Sequence, residues 1–348
     1  MLIDMDYFFV ACEEIRNPSL RSQPTIVGAH PKEGRGRGVV MTCNYVARKY
    51  GIHSAMPIST AYKLKPDAKF LPMDYLYYEQ KSKEVMAIMG RYSEKIEQVS
   101  IDEAFLDVSG KGDNGADAVS YAEKIKETIR KEAKLPCTIG ISNSKLISKM
   151  ACESAKPDGL RLVAESEITD FIKDMSVTKL YGVGGKTAER LERMGYRTIG
   201  ELSRANVMQL MAEFGSFGLE LHNHSLGIDE SAVEGNYEVK SIGREKTFDS
   251  DTNDDVEILS ALKELSKGVM SEVESQGFSF KVVTIKRRYS DFSEQLKSRS
   301  IRPSNSLDDM ETAVLQLYKA QPKSLKKIRK IGVRVSGLTR YKSQKRLF

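Results

Sequence analysis

Tryptophan is absent, and cysteine and histidine are scarce, at four residues each in a chain of 348. Cys12, Cys43, Cys137 and Cys152 are widely separated and form no C-x-x-C pair. That spacing argues against a disulfide framework and a thiolate zinc site, and suggests reduced thiols in a cytoplasmic protein. No run approaches the roughly 18 apolar residues of a membrane span, and no charged-then-apolar secretory leader is expected. A Walker loop, G-x-x-x-x-G-K-[ST], is also missing, so the glycine–arginine turn at Glu33–Gly38 is not a P-loop.

The length is too great for one ordinary core and predicts roughly two to four domains. Hydrophobic residues make up 40% and charged residues 29%, the balance of a soluble globular protein. The net charge of +6 is unevenly spread. Residues 241–348 hold 22 lysines and arginines against 14 acidic residues, a balance of +8, while the first 240 residues stand at −2. A basic C-terminal third on a near-neutral body suggests a polyanionic partner, nucleic acid above all.

Catalytic potential concentrates near the N-terminus. Val99–Val108 sets Asp102 and Glu103 side by side among apolar, β-favouring residues. Successive strand residues face opposite ways and buried carboxylates repel, so adjacent acids do not belong inside a strand. A tight turn over Ser100–Glu103 brings both to one edge, where a cation can neutralise them. The strand Leu2–Val10 places Asp4 and Asp6 on one face. Two acidic strands side by side can hold two divalent metals about 4 Å apart, the arrangement that drives in-line phosphoryl transfer. Hard oxygen donors without histidine or cysteine favour Mg²⁺. Thr42, Tyr45 and Arg48 recur at i, i+3 and i+6 where a strand enters a helix, a ready anion site.

Helices are predicted at 75–92, 118–133 and 144–155 and a strand at 137–142, which fits an α+β sheet with helices on one face. An all-helical region begins at Glu167. Within it, Gly182 and Gly184, followed by Lys186, let backbone amides face outward at a helix start, a nest for phosphate that reads no bases. Past a linker at 233–240, the elements run β-α-β-β-α-β, a split βαβ plan. Lys240, Arg244, Lys246, Lys286, Arg287, Arg288, Lys297, Arg299, Arg302 and Arg334 load its strands, and such a face suits a phosphate backbone.

Together these motifs strongly resemble the Y-family DNA polymerases, the lesion-bypass enzymes, and most closely their archaeal, polymerase IV-like branch. The resemblance runs from about Leu2 to Leu338. It rests on Ile3–Phe9, Thr42–Arg48, Tyr92–Glu97, Ser100–Ala104, Gly140–Lys145, Ala155–Gly159 and Gly182–Gly184. It implies a multidomain α+β right-hand polymerase. The ferredoxin-like palm falls at 1–10 and 75–164, small fingers at 11–74, and a helix-hairpin-helix thumb at 165–232. A β-α-β-β-α-β little finger at 241–341 follows the linker. Asp4, Asp102 and Glu103 are the implied catalytic residues and, with the Met5 carbonyl, the implied ligands of two Mg²⁺ ions, for which Mn²⁺ can substitute. Tyr45, Arg48 and Lys156, with Thr42 and the amides near Tyr7 and Phe8, would hold the nucleotide triphosphate. Phe9 falls at the steric gate that excludes a 2′-hydroxyl. Many family members carry tyrosine there, and a phenyl ring keeps the steric block. Asp6 is not a family ligand and is left out of the site.

The implied activity is template-directed addition of deoxynucleotides to a primer 3′-OH, with low fidelity, bypass of damaged template bases and no proofreading. Primer–template DNA and dNTP are the implied partners of a monomer. In the tail at 342–348, Gln344–Phe348 resembles the start of a sliding-clamp-binding peptide, the alternative being a basic tail alone. A palm-type nucleotide cyclase would share the acidic hairpin but need neither thumb hairpin nor basic C-terminal domain. A non-catalytic DNA-binding scaffold would lack the carboxylates.

Overall fold

β1 (Leu2–Met5) is buried along its whole length and passes through Tyr7, whose backbone is left-handed at φ 38°, into α1 (Phe8–Arg16). These are the first elements of a computed structural model that describes residues 1–111, 115–235, 238–320 and 325–340. Two units divide the chain, one of residues 1–35 and 39–236, the other of residues 36–38 and 237–348.

From α1 the first unit leaves for a small sheet built from β2 (Thr25–Gly28), β3 (Val40–Cys43), α2 (Tyr45–Arg48), α3 (Ile58–Leu64) and β4 (Lys69–Leu71). Its strands lie in the order β3-β2-β4 over a core of their own that includes Ile26, Val40, Ile52 and Ile58. The chain returns as α4 (Tyr75–Met89), β5 (Ile96–Gln98), β6 (Glu103–Leu106), α5 (Gly115–Glu132), β7 (Cys137–Ile141), α6 (Lys145–Ala155) and β8 (Leu160–Leu162). The main sheet has the order β5-β6-β1-β7-β8, with β1 antiparallel to both neighbours.

Strand period sorts this sheet into two faces. Ile3, Ala104 and Ile139 are register partners and pack with Val85 and Met89 of α4 and with Ile125 and Ile129 of α5. Leu2, Phe105 and Gly140 are also partners, and Leu2 and Phe105 pack instead against Cys152 of α6. Helices therefore cover both faces, where the sequence reading expected one. Asp4 and Glu103 share the face of Leu2 and Phe105, and α6, seated on that face through Cys152, brings lysines to it.

Gly140 makes that approach possible. A Cβ there would lie 2.0 Å from the Ser148 carbonyl oxygen and 2.4 Å from the Cys152 nitrogen. Gly140→Ala must push α6 off β7, so it is expected to cost about 3 kcal/mol or more in chemical denaturation. An unchanged midpoint would show that the helix is not seated on this glycine.

The far side of α6 belongs to a second core. Its Leu146, Ile147 and Met150 pack with α7 (Ile168–Ile172), α8 (Gly185–Arg193), α9 (Ile199–Leu202), α10 (Val207–Phe214) and α11 (Ser216–Ser225). One helix thus joins the sheet to the helical region.

The second unit comprises β9 (Ser241–Thr252), α12 (Asp255–Ser275), β10 (Phe278–Tyr289), β11 (Glu294–Ser304), α13 (Leu307–Lys319), β12 (Ile328–Ser336) and β13 (Thr339–Arg340). Its main sheet has the order β11-β10-β12-β9, all antiparallel, so each βαβ crossover encloses one antiparallel strand. Both helices cover one face, over Phe280, Val283 and Ile285. Among the described residues no helix is long and apolar enough to cross a membrane.

Candidate active site

Backbone pairing builds the centre of the site. Asp4 of β1 is the register partner of Glu103 on β6, so their side chains share a face. Ahead of β6 the chain turns tightly, with the Val99 and Ser100 amides donating to the Glu103 carbonyl at 3.0 and 3.2 Å. Asp102 lies in that turn, and its own carbonyl accepts from the Met5 amide at 2.9 Å. The turn sets the two acids at one edge, as their adjacency requires.

Lysines of α6 neutralise this edge. Lys149 Nζ donates to Glu103 Oε2 at 2.6 Å and to Asp4 Oδ2 at 3.2 Å. Lys156 Nζ donates to the same Asp4 oxygen at 2.8 Å. Glu153 Oε1 lies 3.1 Å from Lys149 and 2.9 Å from Lys156. Burial raises the Glu103 carboxyl above its usual range, against the pull of Lys149. Burial likewise raises Asp102, against the Ser100 hydroxyl that donates to it at 2.5 Å. Burial alone would lower Lys149, but the carboxylates of Asp4 and Glu103 outweigh it and hold the ammonium well above the usual lysine range. Lys156 is raised in the same way, burial being outweighed by Asp4.

The donor set fits a hard divalent cation, because two carboxylates already converge on one positive charge. As they stand, no three His, Cys, Asp or Glu side chains among the described residues come together as a metal cluster. Lys149 bridges two of the acids and Asp102 is bonded to Ser100, which accounts for the difference from the expected trio.

Around this centre lie the residues predicted to hold a nucleotide. Asn44 caps α2, its Oδ1 accepting from the Ala47 amide at 3.0 Å. Tyr45 stands edge-on to Tyr7 at 5.5 Å, and the Arg48 guanidinium lies over the Tyr45 ring at 4.7 Å. Burial raises the Tyr45 phenol, and the charges of Asp6, Arg48, Lys156 and Asp4 all reach it, so α2 faces the acidic edge. Thr42 is buried on β3 beside this helix. No side chain caps α1, whose first-turn amides follow Tyr7. The Phe9 ring packs on Tyr78 at 4.8 Å. Met5 buries its side chain in the core.

Several supporting residues escaped the sequence reading. Lys149 and Glu153 were not singled out, although Lys149, Glu153 and Lys156 follow at i, i+4 and i+7 on one helical stripe. Asp6 is 1% exposed, takes the Thr138 hydroxyl at 3.0 Å and the Asp158 amide at 2.8 Å, and so pins the turn that follows Lys156. Glu14 accepts from Tyr7 at 3.3 Å and from Asn44 at 3.2 Å, tying α1 to the start of α2.

Further from the acids, Gly182 has φ +88°, and Gly184 stands at the N-cap of α8 with no side-chain cap. Lys186 is exposed in the first turn. The basic residues of the second unit do not share one face. Arg244 and Lys246 on β9, Arg287 on β10, and Lys297 and Arg299 on β11 are in register with the residues that face the helices. Arg244 and Lys246 lean onto α12, toward Glu272 at 3.7 Å and Glu264 at 2.6 Å. Arg287 is only 5% exposed, donates to the Tyr318 carbonyl at 3.1 Å and lies over the Tyr318 ring, so it is no part of a DNA-facing surface. The open face carries Lys286, Arg288, Arg334 and the unpredicted Lys330, with Glu245 and Glu294 among them. Lys240 and Arg302 are exposed.

Residues 3–153 match the impB/mucB/samB family and residues 239–347 its C-terminal domain, while residues 178–229 match the DNA polymerase-iota thumb domain. DNA polymerase IV of Methanoculleus marisnigri is 41% identical over 343 residues, which cover 97% of this chain and 93% of that protein. DNA polymerase IV of Streptococcus pneumoniae is 38% identical over 336 residues, 96% of this chain and 95% of that one. A solved Y-family DNA polymerase chimera superposes with a TM-score of 0.88 at 28% identity, covering 98% of this chain and 99% of its own. The insertion ternary complex of Dbh DNA polymerase does so at 0.70 and 27% identity, covering 98% and 99%. Motif order, fold and likeness over nearly the full length agree: the chain belongs to the Y family of DNA polymerases, among the polymerase IV enzymes.

Proposed function

We propose that this polymerase adds deoxynucleotides to a primer 3′-OH with the help of two divalent ions, at low fidelity and past damaged template bases. The observation that carries the reading is the pairing of Asp4 with Glu103 across β1 and β6, with one cation already shared between them. Asp4, Asp102, Glu103 and the Met5 carbonyl are the groups that would hold the ions, Mg²⁺ by preference and Mn²⁺ as a substitute. Bound there, such ions activate a hydroxyl and stabilise a leaving oxygen.

The chain's own residues bind and orient the substrate. Lys156 exchanges Asp4 for triphosphate oxygens. Arg48 offers a planar fork of donors, Tyr45 and Thr42 add hydroxyls, and the first-turn amides of α1 near Tyr7 and Phe8 face negative charge. Phe9, its ring backed by Tyr78, is the residue that would exclude a ribose. For DNA, the α8 start with Gly182, Gly184 and Lys186 suits phosphates, and so does the open face with Lys286, Arg288, Lys330 and Arg334. Low fidelity and lesion bypass are supported by the small three-stranded subdomain that carries the nucleotide grip. The clamp-binding peptide expected at 344–348 lies outside the described residues.

Primer extension with deoxynucleotides and Mg²⁺ tests this directly, on an intact template and on one with an abasic site. Extension on both is expected. No extension on the intact template overturns the catalytic reading, and arrest only at the abasic site removes the bypass role.

A further inference from the structure

The phosphoryl-transfer reading leaves Lys149 without a task. An ammonium has three donors and no acceptor, so it cannot ligate a metal. Yet Lys149 sits between the carboxylates a metal would need, 2.6 Å from Glu103 and 3.2 Å from Asp4. Its side chain is 15% exposed, so water screens it weakly. A second cation on these carboxylates is repelled while the ammonium remains beside them, and the carboxylates are costly to leave buried without any cation. The helix also offers the ammonium somewhere to go. Glu153, one turn on and half exposed, is already 3.1 Å away.

We propose that Lys149 is a built-in counter-ion of the catalytic carboxylates. It holds Asp4 and Glu103 together when no metal is bound, and it withdraws toward Glu153 when a divalent ion arrives. Its charge thereby weakens metal binding by the free enzyme. Lys156 is held on Asp4 in the same state, so a triphosphate that draws Lys156 away strengthens metal binding, and by linkage metal strengthens nucleotide binding. The inference rests on the metal-site reading given above.

The test is Mn²⁺ titration of the whole chain without DNA or nucleotide, followed by the electron paramagnetic resonance of free Mn²⁺. Melting in EDTA and in Mn²⁺ accompanies it. Lys149→Met is expected to bind Mn²⁺ about tenfold more tightly than the wild type. It should melt several degrees lower in EDTA and regain most of that in Mn²⁺. Lys149→Arg keeps the charge and should bind Mn²⁺ no more tightly than the wild type. If Lys149→Met binds Mn²⁺ equally or more weakly, the counter-ion role is overturned. Should Lys149→Met and Lys149→Gln fold only in Mn²⁺, the role is supported; failure to fold in either medium makes Lys149 a structural residue and overturns it. Asp4→Ala separates the two levels of argument. If it binds Mn²⁺ as the wild type does, the metal-site reading itself fails. If it loses Mn²⁺ while Lys149→Met gains nothing, only the counter-ion role fails.

Discussion

Asp102→Ala and Glu103→Ala each lower the rate of primer extension by at least about 10³-fold. Both leave affinity for primer–template DNA within about twofold. The loss is large because each change removes an anionic oxygen donor from a site whose neighbours cannot replace it. Asp102 is fixed in a turn that two backbone hydrogen bonds close onto the Glu103 carbonyl, at 3.0 and 3.2 Å, and neither bond needs a carboxylate. The turn therefore survives alanine at either position. Stability should hold or rise, because burial raises both carboxyls and each variant removes one charged group from a crowded edge. Glu103→Ala leaves Lys149 with Asp4 and Glu153, so no ammonium is stranded. The surfaces suited to DNA, at the start of α8 and on the open face of the second sheet, do not involve these residues. Single-turnover extension, filter binding and melting separate the outcomes. Retention of more than about a tenth of the rate would remove the residue from the metal site, and DNA affinity that falls in parallel would make its role structural.

Much of this site was legible because its chemistry is local in the sequence. Adjacent acids between apolar runs could be read as a turn on electrostatic grounds, and the Ser100–Glu103 turn has that form. Thr42, Tyr45 and Arg48 follow one another closely, so the step from the end of β3 into α2 is enough to gather them. Lys149 escaped because its meaning depends on which face of the sheet α6 covers, and Gly140 permits that approach by lacking a Cβ, which would lie 2.0 Å from the Ser148 carbonyl oxygen. No local pattern reports such a distance. Strands β4 and β8 escaped for a simpler reason: each spans three residues, too few to show a period of two. In the second unit the element order is plain in the sequence, but a count of basic residues does not distinguish the two faces of a strand. Alternation along β10 already separates Arg287, beside Ile285, from Lys286 and Arg288, and the burial of Arg287 follows from that parity. Asp4 and Asp6 show the converse limit. Alternation puts them on one face, and Asp6 keeps to it although β1 ends at Met5: its carboxylate takes the hydroxyl of Thr138, the register partner of Asp4, and the Asp158 amide, so it supports the site instead of lining it.

Phe9→Ala is expected to lower the preference for deoxynucleotides over ribonucleotides on the order of 10²-fold. The ratio of kcat/KM values for the two substrates reads it. A gate must be both in the way and unable to yield. Phe9 belongs to the first turn of α1, directly after the left-handed Tyr7 that swings the chain out of β1 and past the acids. Its ring is backed by Tyr78 at 4.8 Å, and Tyr78 is fully buried with its hydroxyl donating to Glu13 at 2.8 Å. Behind Phe9 there is thus a wall and no space, so a 2′-hydroxyl that meets the ring has to be refused. Alanine takes the ring away and leaves α1 and Tyr78 in place. Lost packing should cost about 1–2 kcal/mol, which melting will show, with deoxynucleotide incorporation reduced far less than the selectivity. Phe9→Tyr extends the ring and keeps the barrier, so it should discriminate at least as well as the wild type. A folded Phe9→Ala that still rejects ribonucleotides would place the gate elsewhere, and Tyr7, edge-on to Tyr45 at 5.5 Å, would be the next aromatic ring to change.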